Sequence, residues 1–268
     1  MTESLAFAVR AFDCTIEATA DSPETLAIAN RYVFPSFPRM EAGSAPPDVS
    51  LRLEETGEDD TGQRFRLSKD GEAMASAGQA IGLVPHLIHA IDEAVVQRLA
   101  ALRAVHAGAV LLNGRALLLP GTTHAGKSSI VAELLRRGAA YFSDEYALID
   151  ARGLAHPYPR PLLLRNGSPE QSPVLAGELN APVGDAPAPV GWILLLEYQA
   201  GSSWRISPVP QSLALVALLQ NTPHALADAP ELIAIFERAV AGAACYAGKR
   251  AEAADAAAEI IRLTGCPA

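Results

Sequence analysis

The segment that most constrains the fold of this chain is "GTTHAGKSS", residues 121–129. It follows the apolar run "ALLLP", typical of a buried strand, and precedes "IVAELLRRG", whose apolar spacing is typical of an amphipathic helix. The segment matches the pattern G-x-x-x-x-G-K-[ST] through Gly121, Gly126, Lys127 and Ser128. A strand, a glycine loop and a helix in this order predict a phosphate-binding loop in an α/β fold.

The residue types of this segment suit the binding of a nucleoside triphosphate. Glycines let the backbone curl so that successive N–H groups face phosphate oxygens. The helix start near Lys127 adds a positive end of about half a charge. We expect Lys127 to reach the β- and γ-phosphates and the Ser128 hydroxyl to hold Mg²⁺. The predicted cofactors are ATP and Mg²⁺, with the nucleotide bound by Gly121, Thr122, Thr123, His124, Ala125, Gly126, Lys127, Ser128 and Ser129.

Other motifs narrow the kind of phosphate-loop protein. The sequence has no Asn-Lys-x-Asp segment for guanine recognition and no LSGGQ-type signature of transporter ATPases. The loop also lies far into the chain and follows a predicted pair of strands. These features favour small kinases and their relatives.

Composition limits the expected partners and compartment. Lys and Arg number 21 against 30 Asp and Glu, and the net charge of −9 argues against a nucleic-acid or membrane surface. The three cysteines form no CxxC pair, which favours reduced thiols in the cytoplasm over a metal site. The sequence shows no signal peptide and no uncharged stretch of about eighteen residues, which also predicts a cytoplasmic protein. The oligomeric state is left open, a homo-oligomer included.

Periodicity divides the chain into two portions. Residues 1–84 are interpreted as a strand-rich portion, because "LAFAVRAFDCTIEAT" and "DVSLRLEET" alternate apolar and polar residues. "DSPETLAIANRYV" predicts a short helix, and Asp70-Gly71 predicts a hairpin turn. No residues in this portion have the spacing of a catalytic set. We therefore expect it to serve as a scaffold or as a surface on the side of the substrate. Residues 85–268 are interpreted as the catalytic domain.

The second portion is predicted to alternate strands and helices. Asn113-Gly114 predicts a hairpin whose second strand leads into the phosphate loop. The Pro- and Gly-rich stretch at 166–189 is interpreted as a functional loop or lid. The other predicted elements are strands at 139–150 and 190–198 and helices at 85–102, 210–222, 230–243 and 249–263.

Three motifs of the second portion resemble a known kinase family. The His106-Ala107 pair, the phosphate loop and the acidic pair Asp144-Glu145 follow one another in this order. In order and spacing they resemble the catalytic domain of HPr serine kinase/phosphorylase and its bacterial HPr-kinase-like relatives. The resemblance covers about residues 104–165, and more faintly the rest of the C-terminal half. It implies a compact α/β P-loop kinase domain of the HPr kinase and phosphoenolpyruvate carboxykinase type, preceded here by the strand-rich portion.

The resemblance implies catalytic roles for Asp144, Glu145, His106 and Lys127. One carboxylate would bind Mg²⁺ together with Ser128, and the other would take the proton of the attacking hydroxyl. Asp144 keeps the family's residue type, is expected to matter more and is the candidate metal ligand with Ser128, while which of the two carboxylates is the base stays open. His106 matches the family's histidine near the transferred phosphate, although a lone histidine can equally be a core residue.

Four further basic residues and one loop residue are also candidates, and of these Arg160 is counted among the catalytic residues. Arg160 and Arg165 carry guanidinium groups that suit the transition-state charge, but a surface salt bridge is an equal alternative. Lys249 and Arg250 could meet an acidic substrate or the nucleotide; the favoured interpretation is that they are solvated first-turn residues of the last helix. His124 stands where the family usually has glycine and is interpreted as tolerated by the loop.

Departures from the family limit the expected function. The family's Glu-x-Arg-Gly-x-Gly-Ile-Ile segment, tied to reverse phosphorolysis, has no counterpart here. We therefore expect no phosphorylase activity, and the partner need not be HPr. The expected function is an ATP-dependent kinase that phosphorylates a hydroxyl, with Ser or Thr of a peptide or small protein as the favoured acceptor. A small-metabolite kinase and a nucleotide-binding regulator without turnover stay open as alternatives.

Overall fold

A computed structural model of the chain describes residues 5–33, 35–43, 46–121, 126–165, 167, 170–223 and 229–266. Contacts divide the chain into two units, Met1–Ala100 with Arg165–Pro173 and Ala101–Leu164 with Val174–Ala268. Both units mix helices and strands, so the fold class is α/β. None of the described helices is long and apolar enough to cross a membrane.

The first unit combines one sheet with two helices. Its elements are β1 (Leu5–Ala11), β2 (Cys14–Ala20), α1 (Pro23–Tyr32), β3 (Arg39–Glu41), β4 (Val49–Glu55), β5 (Phe65–Lys69), β6 (Glu72–Ala77) and α2 (Val84–Arg98). Among the described residues, the strand order of this sheet is β3-β1-β2-β4-β5-β6. Neighbouring strands pair antiparallel, except that β2 and β4 run parallel.

Local sequence accounts for several of these elements. Ser22 caps α1, because its hydroxyl accepts the backbone N–H of Thr25 while the Thr25 hydroxyl accepts the N–H of Ser22. Asp70 and Gly71 have φ of +52° and +87° and form the predicted turn between β5 and β6. The first, third and fifth residues of β4 are buried, which confirms the predicted alternation.

The second unit contains the phosphate-loop segment. Its elements are β7 (Leu102–Leu112), β8 (Arg115–Pro120), α3 (Lys127–Arg136), β9 (Ala140–Ser143), β10 (Tyr146–Asp150), β11 (Leu154–His156), β12 (Leu162–Leu164), β13 (Ser172–Val174, whose first two residues group with the first unit), β14 (Ala188–Tyr198), β15 (Arg205–Pro208), α4 (Gln211–Gln220), α5 (Ala229–Val240), β16 (Ala244–Arg250) and α6 (Ala253–Thr264). The main sheet has the order β11-β10-β7-β8-β14-β16-β15, and β9 also pairs with β7. β14 runs parallel to both β8 and β16, so these three strands end at the same edge.

Helices cover both faces of this sheet. α4 and α5 pack with Leu118 and Ile193 on one face, while α3 and α6 pack with Leu117 and Leu194 on the other. Successive residues of β8 therefore enter opposite cores, which explains why its sequence is continuously apolar. The predicted hairpin between β7 and β8 is confirmed, with φ of +49° at Asn113 and +72° at Gly114.

The helix predicted at 85–102 is shorter at its C-terminal end. α2 ends at Arg98, and Leu102 begins β7, where it pairs with Asp150 of β10. The apolar spacing continues through Leu99 and Leu102 and favours a longer helix. Pairing with the distant strand β10 instead makes Leu102 the first residue of a strand. α2 contacts β2, β5 and α1 and so groups with the first unit, whereas the functional boundary between 84 and 85 stays a prediction.

The predicted loop at 166–189 is not wholly irregular in the part that the structure describes, and its role as a functional loop or lid stays a prediction. Residues 166, 168 and 169 lie outside the described residues. The remainder contains β13, a 3-10 turn at Ala176–Leu179 and the start of β14. Ala176 and Ala181 are buried in the core beneath α3. Small apolar side chains that fill this core explain why the segment packs despite its prolines and glycines.

The predicted start of the last helix at 249 is also wrong. α6 begins at Ala253, and residues 244–250 form β16 between β14 and β15. An added Cβ at Gly248 would overlap the β15 backbone, so this glycine allows the close approach of the two strands. Pairing on both sides thus overrides the helix propensity of an alanine-rich sequence.

Candidate functional site

The candidate site lies at the edge where the parallel strands β8, β14 and β16 end. Ligands of open α/β sheets bind outside the carboxyl ends of such strands. β7 runs antiparallel to β8 with Ala107 opposite Pro120, so His106 lies beside the start of the predicted phosphate loop. The backbone N–H of Gly121 donates to the His106 carbonyl at 3.3 Å and fixes this position.

The described ends of the predicted phosphate loop are a left-handed glycine at the start of a helix and a residue that follows a buried strand. Gly126 has φ of +75°, a left-handed conformation that favours glycine, and α3 begins at the next residue. Lys127 is buried, and its Nζ donates to the carbonyl of Gly121 at 3.0 Å, which links the two ends of the loop. Ser128 and Ser129 lie in the first turn of α3. Outside the described residues lie Thr122, Thr123, His124 and Ala125.

Asp144 and Glu145 form a bend between β9 and β10, where the sequence predicts an unbroken strand. The Ser143 hydroxyl accepts the backbone N–H groups of Glu145 at 3.3 Å and Tyr146 at 3.1 Å, so the sequence "SDE" builds the bend locally. Both flanking strands pair with β7, and Tyr146 lies opposite His106. The bend therefore brings the acidic pair next to His106.

A line of contacts links Glu145, His106 and Lys127. His106 Nε2 lies 2.7 Å from Glu145 Oε1 and 3.3 Å from Lys127 Nζ. A carboxylate only accepts and an ammonium only donates, so Nε2 can serve one of them at a time. The shorter contact assigns the Nε2 proton to Glu145, which leaves the Lys127 ammonium beside the imidazole.

Neighbouring charges keep Glu145 ionised. Burial alone raises the pKa of Glu145, but the hydrogen bond from His106 and the charges of Arg160, His106 and Lys127 lower it to about 2. Burial also lowers the pKa of Lys127, and the charges of Glu145 and Asp144 partly oppose this shift. Glu145 is therefore a carboxylate at neutral pH that can accept a hydrogen bond from a hydroxyl.

Asp144 is buried more deeply than Glu145, with 1% of its surface exposed. Its Oδ1 accepts a hydrogen bond from the Tyr141 hydroxyl at 2.9 Å. Its Oδ2 is also buried and has no hydrogen-bond partner among the residues that the structure describes. Leaving a buried acceptor unsatisfied costs about 1–3 kcal/mol, so Oδ2 points to a ligand that the described residues do not supply.

Arg160 joins the two acidic side chains. Its NH1 lies 3.5 Å from Asp144 Oδ1 and 3.8 Å from Glu145 Oε2. The residue is 3% exposed, so the alternative of a surface salt bridge is wrong. The five side chains of Asp144, Glu145, His106, Lys127 and Arg160 form what we call the charged cluster.

The donor set near Asp144 suits Mg²⁺. This ion typically takes one or two carboxylates and completes its shell with phosphate oxygens and water. The unsatisfied Oδ2 of Asp144 and the Ser128 hydroxyl are the candidate ligands from this chain. In the described parts of the chain, no group of three or more His, Cys, Asp or Glu side chains could hold a metal by itself.

Arg250 belongs to the same edge, although its sequence context predicts a solvated helix turn. It is the last residue of β16 and is 3% exposed. Its guanidinium packs directly against Gly126, where an added Cβ would overlap it. The Tyr198 ring lies 4.9 Å from the guanidinium carbon, and NH1 donates to the Ala251 carbonyl at 2.9 Å. No local signal in "ACYAGKRAEA" indicates this position, because it depends on pairing with β14 and β15.

The two remaining basic candidates are exposed. Lys249 precedes Arg250 on β16, and successive strand residues point to opposite faces. Arg165 follows β12 and is exposed as well. Neither side chain is part of the charged cluster as the structure describes it.

Comparisons with known proteins give little beyond this geometry. No family model matches the chain, and no curated protein matches it. Among solved structures, the chain is similar to the Hpr(Ser) kinase/phosphatase from Coxiella burnetii, with 13% sequence identity and a TM-score of 0.30. The match covers 61% of this chain and 98% of that chain. A TM-score this low is too weak to support an assignment of fold or function.

Proposed function

We propose that this chain is an ATP-dependent kinase that transfers the γ-phosphoryl group to a hydroxyl. The proposal is carried by one observation, the contact line from Lys127 through His106 to Glu145 at the end of the predicted phosphate loop. The ammonium of Lys127, which suits phosphate, and the carboxylate of Glu145, which suits a hydroxyl proton, both contact the imidazole of His106. Phosphoryl transfer needs these groups side by side, because its catalysis is mostly positioning and charge stabilisation.

The proposed roles divide the two carboxylates. Asp144 is the Mg²⁺ ligand, because its buried Oδ2 has no hydrogen-bond partner in the described residues and Oδ1 is fixed by Tyr141. When bound, Mg²⁺ would neutralise negative charge on the phosphates. Glu145 is the proton acceptor, because it is ionised and less buried, with 23% of its side chain exposed. His106 orients Glu145 through the 2.7 Å hydrogen bond.

The acceptor oxygen forms a bond to the γ-phosphorus while the bond from that phosphorus to the bridging oxygen breaks. ADP leaves with the electron pair of the broken bond, and the hydroxyl proton moves to the Glu145 carboxylate. Because its basic neighbours hold the pKa of Glu145 below the usual range, the carboxylate is a weak base and accepts the proton late, when the acceptor oxygen has become acidic.

The acceptor is proposed to be a Ser or Thr hydroxyl of a peptide or small protein. The test uses ATP labelled at the γ-phosphate with Mg²⁺, offered to a library of Ser- and Thr-containing peptides and to a panel of small hydroxyl metabolites. Label on peptides supports the favoured acceptor, and label on the metabolites alone moves the acceptor class to small molecules.

Two variants and one control separate catalysis from binding. Lys127→Met is expected to lower transfer by about a hundredfold or more, because a positioned charge on the transferred group is worth roughly 3 kcal/mol. Asp144→Asn keeps the size of the side chain and its Tyr141 contact, so we expect ATP binding to persist and transfer to be lost. Lys249→Met removes an exposed lysine and should behave as wild type. Wild-type turnover by Lys127→Met would exclude the kinase, and unchanged cellular function of Asp144→Asn would favour a regulator without turnover.

A further inference from the structure

We propose that Arg250 binds the non-transferred phosphates of the nucleotide, at the side of the phosphate loop opposite to the charged cluster. This inference rests on the proposed function and adds an anchor that the loop motif does not contain. It also assigns the direction in which the nucleotide lies along the sheet edge.

The first support is the place of Arg250 in the sheet. β8, β14 and β16 run parallel, and Arg250 is the last residue of β16, directly opposite Tyr198 at the end of β14. The phosphate-loop segment leaves the end of β8 at the same edge. A basic side chain at this position therefore lies where a sheet of this kind binds its ligand.

The second support is the contact with Gly126. The guanidinium occupies the space that a side chain at Gly126 would need, and Gly126 has the left-handed φ of +75°. Gly126 directly precedes α3, and the first N–H groups of a helix are suited to bind a phosphate. A guanidinium packed against Gly126 can share a phosphate with those N–H groups.

The third support is the order of the strands. β7 lies on one side of β8, and β14 and β16 lie on the other. Lys127 turns toward β7, where its Nζ meets His106, while Gly126 meets Arg250 on β16. The γ-phosphate must lie at the charged cluster for transfer to occur. Arg250 consequently faces the phosphates nearer to the nucleoside.

The chemistry of the side chain agrees with this role. A guanidinium offers a planar set of donors that matches phosphate oxygens in pairs. The Tyr198 ring and the Ala251 carbonyl hold it in a fixed orientation. Burial lowers the pKa of Arg250, and Tyr198 and Glu252 partly oppose this shift. A bound anion would oppose it in the same way, because it favours the charged form of the guanidinium.

The test compares Arg250→Gln with Lys249→Gln, which removes the exposed neighbouring charge. Binding of ATP, ADP and adenosine with Mg²⁺ is measured by calorimetry, and kcat and KM are measured in the transfer assay. We expect Arg250→Gln to weaken ATP and ADP binding by the same factor, at least tenfold, and to leave adenosine binding and kcat within threefold. Lys249→Gln should match wild type throughout.

Each other outcome has a distinct meaning. Unchanged ADP binding in Arg250→Gln, or a loss in kcat without a change in KM, overturns the inference and leaves the proposed kinase standing. A wild-type protein that binds neither ATP nor ADP defeats the proposed function itself. If Arg250→Gln does not fold, Tyr198→Leu replaces it, because this half-exposed ring orients the guanidinium without carrying its charge. That variant should weaken ADP binding severalfold, and wild-type ADP affinity would refute the inference.

Discussion

The substitution Gly126→Ala tests how the phosphate-loop segment is held at its last residue. An alanine in a left-handed conformation costs about 1–2 kcal/mol. Its Cβ would also displace the Arg250 guanidinium, with loss of the Tyr198 contact and the hydrogen bond to Ala251. These contacts contribute about 2–3 kcal/mol, so the free energy of unfolding should fall by about 3–5 kcal/mol in all.

Gly138→Ala is the matched control for this substitution. Gly138 follows α3, has φ of +91°, and an added Cβ there would meet nothing within 4 Å. It therefore suffers the backbone strain without the displacement of an arginine, and should lose about 1–2 kcal/mol.

The assay is urea denaturation followed by tryptophan fluorescence. The two tryptophans, Trp192 and Trp204, both lie in the second unit, so the signal reports the unfolding of the unit that contains the site. The predicted difference between the two variants is about 2 kcal/mol or more. An equal loss in both variants would refute the packing of Arg250 on Gly126, and with it the structural basis of the proposed phosphate anchor.

Three further predictions concern other parts of the chain. Tyr141→Phe removes the hydrogen-bond donor to Asp144 and should lower the free energy of unfolding by about 1–3 kcal/mol. It should also raise the Mg²⁺ concentration needed for half-maximal transfer. An unchanged Mg²⁺ requirement would contradict the role of Asp144. Burial raises the pKa of Asp150, but hydrogen bonds from two backbone N–H groups and from neighbouring basic side chains outweigh it, so the folded pKa is lowered. Its contribution to stability is therefore present at neutral pH and lost as pH falls through the folded pKa, and Asp150→Asn should flatten the decrease in unfolding free energy between about pH 5 and pH 3, as measured by urea denaturation. Burial raises the pKa of Cys14 to about 11, so a thiol reagent should modify the partly exposed Cys266 first and reach Cys14 only on unfolding; rapid labelling of Cys14 in the native protein would contradict its burial.

Local sequence was enough to predict several backbone features around the candidate site. A glycine before a predicted helix favours a left-handed conformation followed by a helix start, and the structure has both at Gly126 and Lys127. The Asn113-Gly114 turn fixes the pairing of β7 with β8, and this pairing puts His106 beside Gly121. Each of these features depends on residues within one hairpin or one loop, so a single sequence indicates them.

The pairing of Glu145 with His106 could not be predicted in the same way. It depends on the register between β10 and β7, which places Tyr146 opposite His106. Register between strands distant in the chain is set by burial over the whole sheet, and no short motif encodes it. The sequence also predicts a continuous strand through Asp144. In the structure the Ser143 hydroxyl accepts two backbone N–H groups and stabilises a bend, and the sequence pattern alone does not indicate these hydrogen bonds.

Arg250 is the site residue whose predicted and observed positions differ most, because the sequence predicts a solvated helix turn and the structure has a buried strand residue. Alanine-rich surroundings favour a helix, and only the partners on both sides of β16 make it a strand. Its burial against Gly126 then joins two segments that lie far apart in the sequence. A contact of this kind is a property of the assembled sheet, so the signal for it lies in tertiary structure alone.

Hydrogen exchange, measured by mass spectrometry with and without ATP and Mg²⁺, tests the central claim most directly. If the backbone N–H groups of residues 121–129 bind the phosphates, peptides that cover this segment should exchange more slowly when the nucleotide is present, and Lys127→Met should abolish the change. Unaltered exchange of this segment at saturating ATP, or protection confined to other parts of the chain, would contradict the account.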